Sequence, residues 1–396
     1  MSLERINEEQ MIDIIWGATL MGGGGGGSIA SGLQLMDACR DASGHVPDAV
    51  MVPPKAMGDA YASATAGMGA PAAIIGTDFS KYAMNAAGLL AEMAKREGKD
   101  LKFTFPVELG GFSIFFPFLL SIRSNGKIPI VDADGSGRAV PALETLLLNV
   151  NNCPTTPMAL ANDKGASGDR ISVVLDDPYD APLAEKIGRD ISGLFGNMVG
   201  ISSWLVNGSQ LENEVCPYTI TLCQQIGRHF RSAKGPKETL FLELPTLPDR
   251  ILPMAAKQIC VGRITEIKSD THGGFDFGAL TVEDVRDPSI HYRITFQNEN
   301  LLLEKLVGES VQPMMTVPDI TTMYCLDPAG AEGIEVNMPL SNADAKEGMV
   351  ISVGVIKVDQ KWFKYKDSMK WWNVWSECMD TIGYTGGYLP FEGVPG

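Results

Sequence analysis

Nothing in this chain is long and apolar enough to cross a bilayer. Its longest aromatic–aliphatic run covers residues 112–122 and holds Pro117, against the roughly 20 apolar residues that a spanning helix needs. Basic charge is also scarce. The 32 Lys and Arg are outweighed by 48 Asp and Glu, for a net charge of −16. That field repels phosphate backbones and anionic lipid surfaces, so neither nucleic acid nor a membrane is expected as a partner. Paired cysteines are missing too: the 7 cysteines (39, 153, 216, 223, 260, 325 and 378) are odd in number, scattered and without a Cys-x-x-Cys. This is the pattern of a reduced, cytoplasmic protein rather than of a disulfide scaffold. His45, His229, His272 and His291 occur singly, with no His-x-His or His-Glu-x-x-His, which gives a conventional zinc site little support. The first ten residues are polar and acidic, without the basic and then apolar stretches of a secretory signal, so no export is expected.

What remains is a folded chain of 396 residues, 45% hydrophobic and 20% charged, long enough for two domains with a core each. Apolar residues 11–21 run into six consecutive glycines, Gly22 to Gly27, and then into Ser28 and a stretch with helical spacing at Ile29, Leu33, Leu35 and Met36. Glycines let the backbone approach a ligand closely, and free amides at a helix start favour an anion or a carbonyl oxygen. Gly24, Gly25, Gly26, Gly27 and Ser28 are therefore candidate substrate-binding residues. A flexible connector is the plainer reading. Neither Gly-x-Gly-x-x-Gly nor a following Gly-Lys-Ser/Thr is present, so the signature of a nucleotide site is absent.

Strand-like and helix-like stretches then alternate: residues 49–52, 72–75, 80–97, 101–105, 112–123 and 128–131. This predicts an α/β domain over residues 1–166, three layers deep with a mainly parallel sheet. Ligands of such sheets sit at the carboxyl ends of strands. Glu108 and, 24 residues on, Asp132 with Asp134 are placed to end adjacent strands and meet in one crevice. Carboxyls brought together repel, which lets one keep a proton near neutrality and act as general acid or base; a divalent metal is the other use of such a set. Gly110 and Gly111 beside Glu108 are candidate binding positions, and Arg138 is a candidate partner for an aspartate or for a substrate carboxylate. The Asp-Ala-Asp-Gly stretch also suits a plain turn with capping aspartates.

A polar, glycine-bearing hinge at residues 163–168 precedes a second domain, residues 167–396. It begins β-rich at residues 171–175, reads as helical over 183–204 and 218–230 in an excursion that can cross back onto the first domain, and then turns into short alternating strands near residues 260–267, 277–282, 291–296, 320–326 and 349–356. A small barrel or sandwich is expected. Gln297, Asn298, Glu299 and Asn300 form a polar cluster between Phe296 and Leu301. Such a cluster must find partners, which makes Asn298 and Glu299 candidate site residues. Trp362, Trp371, Trp372 and Trp375 are expected to cover an apolar edge or a domain interface, with stacking on a planar ring as the alternative. No cysteine has an obvious base beside it, so a thiol nucleophile is not expected.

Taken together, the Gly22–Gly27 loop, residues 106–111 (PVELGG), 129–139 (PIVDADGSGRA) and 296–301 (FQNENL) resemble a bacterial family found beside hydantoinase and oxoprolinase genes and described as S-methyl thiohydantoin desulfurases. The likeness runs from about residue 10 to residues 383–391. It implies an α/β domain, a β-rich domain, and activity on the carbon–sulfur bond of a sulfur-substituted hydantoin. Two positions depart from the family pattern: Ser28-Ile29 follows the glycines where an acid and a proline are usual, and Ser113 stands where asparagine is usual. The expectation is thus a hydrolase of an S-substituted thiohydantoin or related cyclic amide, forming a homo-oligomer, working on a small molecule without an organic cofactor, with a divalent metal left open. The alternative is a ligand-binding or accessory protein of hydantoinase-type enzymes, with residues 112–120 as an apolar partner surface. A nucleotide-dependent enzyme rests on the glycines alone.

Overall fold

The computed structural model describes residues 3–69, 79–163, 170–177, 180–194 and 198–395. Helices α1 (Glu8–Met21), α2 (Ile29–Asp37), α3 (Phe79–Arg96), α4 (Phe116–Arg123), α5 (Leu147–Val150), α6 (Ala181–Leu194), α7 (Gly208–Asn213), α8 (Thr219–Ser232), α9 (Leu240–Glu243) and α10 (Lys370–Thr381) surround two main sheets. Local sequence sets the ends of α1. The Asn7 side chain accepts from the Gln10 amide and the Gln10 side chain accepts from the Asn7 amide, each at 3.0 Å, and two glutamates sit in the first turn, where the helix dipole favours them. Gly22 closes its far end.

The first sheet takes the order β1 (Glu4–Ile6), β2 (Ala49–Val52), β5 (Ile130–Val131), β4 (Leu101–Pro106), β3 (Tyr61–Gly69), β9 (Met198–Asn207), β7 (Met158–Ala161), β8 (Ser172–Leu175). Its centre, β2-β5-β4-β3, is parallel. β1 is antiparallel to β2, and the pairings of β9 with β3, β7 with β9 and β8 with β7 are antiparallel, so the sheet is mixed. Alternation along the strands divides the core. Met51 and Ile130 join the cluster under α1, α2 and α4, while their neighbours Val52 and Val131 face the one packed by α5, α6 and α10, as a two-residue period requires.

The helix expected over residues 183–204 stops at Leu194, and residues 198–207 are strand β9. From Met198 to Val206 every residue of it is buried, the run expected of a strand covered on both faces. The expected division at residues 166–167 lies outside the described residues. Beyond it, β8 and β9 still belong to the first sheet, and α8 lies against α1, where Arg231 pairs with Asp13. The strand expected at residues 72–75 also lies outside the described residues. Residues 112–120, considered as a partner surface, are buried throughout; Phe115, Phe116, Phe118 and Leu119 are 0–1% exposed. They belong to the core.

The second sheet is antiparallel, in the order β15 (Ser310–Thr316), β14 (Glu299–Val307), β13 (Ile290–Gln297), β12 (Phe275–Asp284), β11 (Ala256–His272), β17 (Val350–Ile356), β16 (Ile320–Asp327). A two-strand ribbon pairs β6 (Ala133–Asp134) with β10 (Cys216–Pro217). Among the described residues no helix is long and apolar enough to cross a membrane. The two sheets meet at the end of α1: the Thr322 hydroxyl donates to the Leu20 carbonyl at 2.7 Å, and the glycine loop that follows lies against the second sheet.

Candidate functional site

The glycine loop is a joint between the two sheets. Its Gly23 carbonyl accepts from the Asn300 amide and its Gly24 carbonyl from the Asn342 amide, each at 2.8 Å, while Gly26 O accepts from the Phe112 and Ser113 amides at 3.0 Å. Close approach explains the glycines. A Cβ on Gly25 would stand 2.5 Å from Cγ of Glu299 and nearer still to its Cδ and Oε1; one on Gly24 would stand 2.7 Å from Asn300 Oδ1. The Gly26 amide donates to the Glu299 carboxyl, so the negative group that the loop's amides attract is supplied by the protein's own second sheet. Gly110 and Gly111 back the loop: the Gly111 amide donates to Gly27 O at 3.1 Å, and Gly110 packs on the Gly26 backbone. Ser28 caps α2, its hydroxyl accepting from the Ser31 amide at 3.1 Å.

Glu108 stands two residues beyond β4. Ser113 Oγ donates to its Oε1 and the Val140 amide to its Oε2, both at 2.8 Å. Ser113, the departure from the family's asparagine, thus still supplies a donor to the glutamate. Glu108 lies deep in the protein, and removal from water pushes its carboxyl up to about 7 against the pull of those hydrogen bonds and of Arg138. It is nonetheless only half-buried by surface area, whereas Glu299 is 2% exposed. Burial, then the neighbouring Glu108, raise Glu299 well above the usual carboxylate range. Among the described residues its Oε2 is buried without a partner, as are Asn300 Oδ1, Asn342 Oδ1 and Trp375 Nε1.

Arg138 lies between these acids, fully buried. Its guanidinium donates to the carbonyls of Ala139 (2.9 Å), Pro318 (2.8 Å), Asp319 (3.0 Å) and Asn300 (3.3 Å), and lies 5.1 Å from the Trp375 ring centre. Among the described residues it makes no ion pair. Burial lowers it to about 10, while Glu299, Asp319 and Glu108 hold it up. Four of its N–H···O contacts thus go to backbone carbonyls, and its charge reaches Glu299, Asp319 and Glu108.

The two aspartates also hold backbone, and Asp134 stays within electrostatic reach of Glu108, which raises it after burial. Asp132 Oδ1 accepts from the Ile220 and Thr221 amides at 3.0 and 3.1 Å, and Oδ2 from the Thr221 hydroxyl at 2.6 Å. These amides begin α8, whose preceding residue Tyr218 offers no side-chain cap, so Asp132 provides one from across the chain. Burial still raises it to about 6. Asp134 Oδ2 accepts from the Ser136 and Gly137 amides at 2.9 and 2.7 Å, closing the turn that its sequence also suits; burial raises it to about 7, and Oδ1 has no partner. Asn298 holds a turn at φ 55°: its amide donates to the Asp276 carbonyl at 2.7 Å and its Oδ1 accepts from the Asp276 amide at 2.8 Å.

Thus Glu108, Glu299, Arg138 and Gly24–Gly26 come together, while Asp132, Asp134 and Asn298 hold local structure. Asn300, Asn342 and Trp375 belong to the assembly and were not picked from the sequence as site residues. Asn300 lay in a stretch already suspect for its polarity; Asn342 stands alone in a loop with no pattern around it. Trp362 and Trp375 are fully buried and, with Trp371, Phe363 and Tyr388, form a ring-on-ring packing that covers this side of the core. All seven cysteines are buried, and burial raises the thiols of Cys153, Cys216, Cys223, Cys260, Cys325 and Cys378. Exposed His272 stacks on Phe277. Among the described residues no three His, Cys, Asp or Glu side chains form a group able to hold a metal ion.

Comparison with known proteins agrees with this architecture. A crystal structure of a protein from Chromobacterium violaceum, from the Northeast Structural Genomics Consortium, superposes with a TM-score of 0.76 over 98% of this chain and all of its own, at 22% identity; at that identity the likeness speaks for the fold. No curated protein matches. Residues 9–168 match the S-Me-THD-like N-terminal domain and residues 179–371 the S-Me-THD-like C-terminal domain, and the chain belongs to this S-Me-THD-like family.

Proposed function

We propose that the chain is a hydrolase that cleaves the carbon–sulfur bond of an S-substituted thiohydantoin or a related cyclic amide, with Glu108 and Glu299 managing the protons. The observation that carries this reading is the pair itself. Glu108 is half-buried and follows a strand of the first sheet, while Glu299 is buried and begins a strand of the second. Burial raises both carboxyls and Glu108 raises Glu299 further, so the two do not both ionise readily; one holds a proton near neutral pH and the other is poised to take one. That is the equipment of general acid–base catalysis.

The target carbon of an S-alkyl thiohydantoin lies between nitrogens and sulfur, as in an isothiourea. In the proposed reaction Glu108 gives its proton to the ring nitrogen, which makes that carbon more electrophilic. A water molecule attacks as a carboxylate takes its proton, and a carbon–oxygen bond forms. The carbon–sulfur bond then breaks, and the thiol leaves with a proton while the carbonyl of the hydantoin forms. One water is consumed and one thiol released, with no oxidant or reductant. Arg138, by its charge, keeps the pair from becoming wholly neutral. No step is routed through a metal. The family supports the choice of ring; the Glu108–Glu299 pair supports hydrolysis.

The test is release of methanethiol from an S-methyl thiohydantoin by the purified protein. Release that survives in Glu108→Gln at the wild-type rate, or no release from the folded wild type, overturns the reading.

A further inference from the structure

Charge around this site is unbalanced. Burial first, then Glu144, Glu299 and Glu377, raise the Cys378 thiol; burial, then Glu185 and Glu377, raise Glu144; and burial, with a smaller contribution from Glu185, raises Glu108. Five glutamates, on the loop after β4, the 3-10 turn Leu143–Thr145, α6, β14 and α10, therefore act on one another. Two arginines face them, and both are committed. Arg138 donates to backbone carbonyls. Arg189 pairs with Glu185, lies 4.2 Å from the Phe275 ring centre and makes long contacts of 3.4 and 3.5 Å to the Pro141 and Gly274 carbonyls.

The second observation is acceptor capacity left over. Glu299 and Asn300 are 2% and 1% exposed, and among the described residues Glu299 Oε2, Asn300 Oδ1 and Glu144 Oε2 are buried without a donor. A protein that keeps oxygens dry and unpaired loses stability by doing so unless a ligand brings the missing donors. Asn300 Oδ1 calls for an N–H, the Glu299 and Glu144 oxygens call for one in their ionised state, and the surrounding acids favour a positive donor.

We propose that the site binds its ligand as a cation, taking an amidinium-type N–C–N group, such as the N-protonated form of a cyclic S-alkyl isothiourea, in preference to a neutral ring of the same size. This rests on the function proposed above and deepens it: the protonated ring is the more electrophilic species, so carboxylates that favour it also favour the reacting state. The neutral product then loses that attraction and leaves. Burial and mutual repulsion keep part of the set protonated when the site is empty, Glu108 having been pushed up to about 7. Binding a ligand that arrives already charged reverses this and expels a proton, whereas a ligand that arrives neutral becomes the cation by taking the proton of Glu108. Affinity accordingly rises with pH between about 6 and 8.

The probes are 2-methylthio-2-imidazolinium, a cyclic isothiourea cation, and 2-imidazolidinone, its neutral ring counterpart. Both are titrated by calorimetry into the wild type, Glu299→Gln and Glu144→Gln at pH 6 and 8, in two buffers of different ionisation heat. The expected result is binding of the cation at least tenfold tighter than the neutral ring, tighter at pH 8, with proton release. The preference should collapse in Glu299→Gln and shrink in Glu144→Gln, whose more peripheral carboxyl leaves a folded protein as the reference. Equal affinities, tighter binding of the neutral ring, or no binding of the cation overturns the proposal. Methanethiol release without cation preference overturns only this inference; cation preference without methanethiol release overturns only the proposed reaction.

Discussion

Replacement of Gly25 by alanine isolates the contact that joins the glycine loop to Glu299. Gly25 is not among the residues of positive φ, so alanine meets no backbone penalty there. Its Cβ meets Cγ of Glu299 at 2.5 Å, with Cδ and Oε1 nearer. Real Cβ atoms do not come so close, and the loop cannot retreat because Gly23 O and Gly24 O are tied to the Asn300 and Asn342 amides. Glu299 must therefore turn away and lose the Gly26 amide. Overpacking of this kind costs about 1–3 kcal/mol. The decisive comparison is the same change in a Glu299→Ala background, which removes all three of the atoms that the methyl would strike. There alanine at position 25 should be neutral or stabilising by about 0.4–1 kcal/mol, through a less flexible unfolded chain. Urea unfolding of the four proteins, followed by tryptophan fluorescence, gives the cycle. Costs that add to within about 0.5 kcal/mol, the behaviour of independent sites, would refute the contact and the joint built on it.

Three further outcomes follow from the same geometry. Asp132→Asn weakens the cap on α8 and should lower stability by about 1–2 kcal/mol while leaving the turnover of the folded protein near the wild-type value; a loss of turnover of a hundredfold would return Asp132 to the chemistry. Glu108 is raised from its ordinary value to about 7, so the native state holds a proton that the unfolded chain gives up. Stability should fall as pH rises from about 5 to 7, by up to about 1.4 kcal/mol per pH unit for such a group, and thermal melts of Glu108→Gln should show a shallower fall; identical slopes would contradict the shift. The Tyr388 hydroxyl donates to Asp319 Oδ2 at 2.6 Å, beside the Phe391 amide at 2.8 Å. Tyr388→Phe should cost about 1–2 kcal/mol and speed proteolysis of the segment after α10, with unchanged cleavage marking the bond as dispensable.

The α/β character and the β-rich second region were legible because alternation of apolar periods is a local signature. Glu299 stood out as a carboxyl inside apolar flanks. What stayed hidden depends on the return of the chain. Residues 198–204 read as helix because a strand buried on both faces shows no alternation. Nothing in Asp132-Ala-Asp134 says that the first aspartate caps a helix 88 residues on, since capping partners far apart in sequence leave no spacing to read. The apolar run at residues 112–120 resembles an interface in composition, and only the covering helices show that it is core. That Arg138 would donate to four backbone carbonyls left no local sign either, because three of them, on Pro318, Asp319 and Asn300, lie more than 160 residues on.

The central claim is that Glu108 and Glu299 act as one proton-sharing pair. The pH profile of methanethiol release from an S-methyl thiohydantoin, measured for the wild type and for Glu108→Gln, Glu299→Gln and the double variant, tests it most directly. The account predicts a bell-shaped wild-type profile with one limb near pH 7, a fall in kcat of about 10²–10⁴ in either single variant, and a double variant scarcely worse than the singles, as residues acting as a unit behave. Turnover in Glu299→Gln with the wild-type rate and profile would contradict it and leave Glu108 to act without its partner.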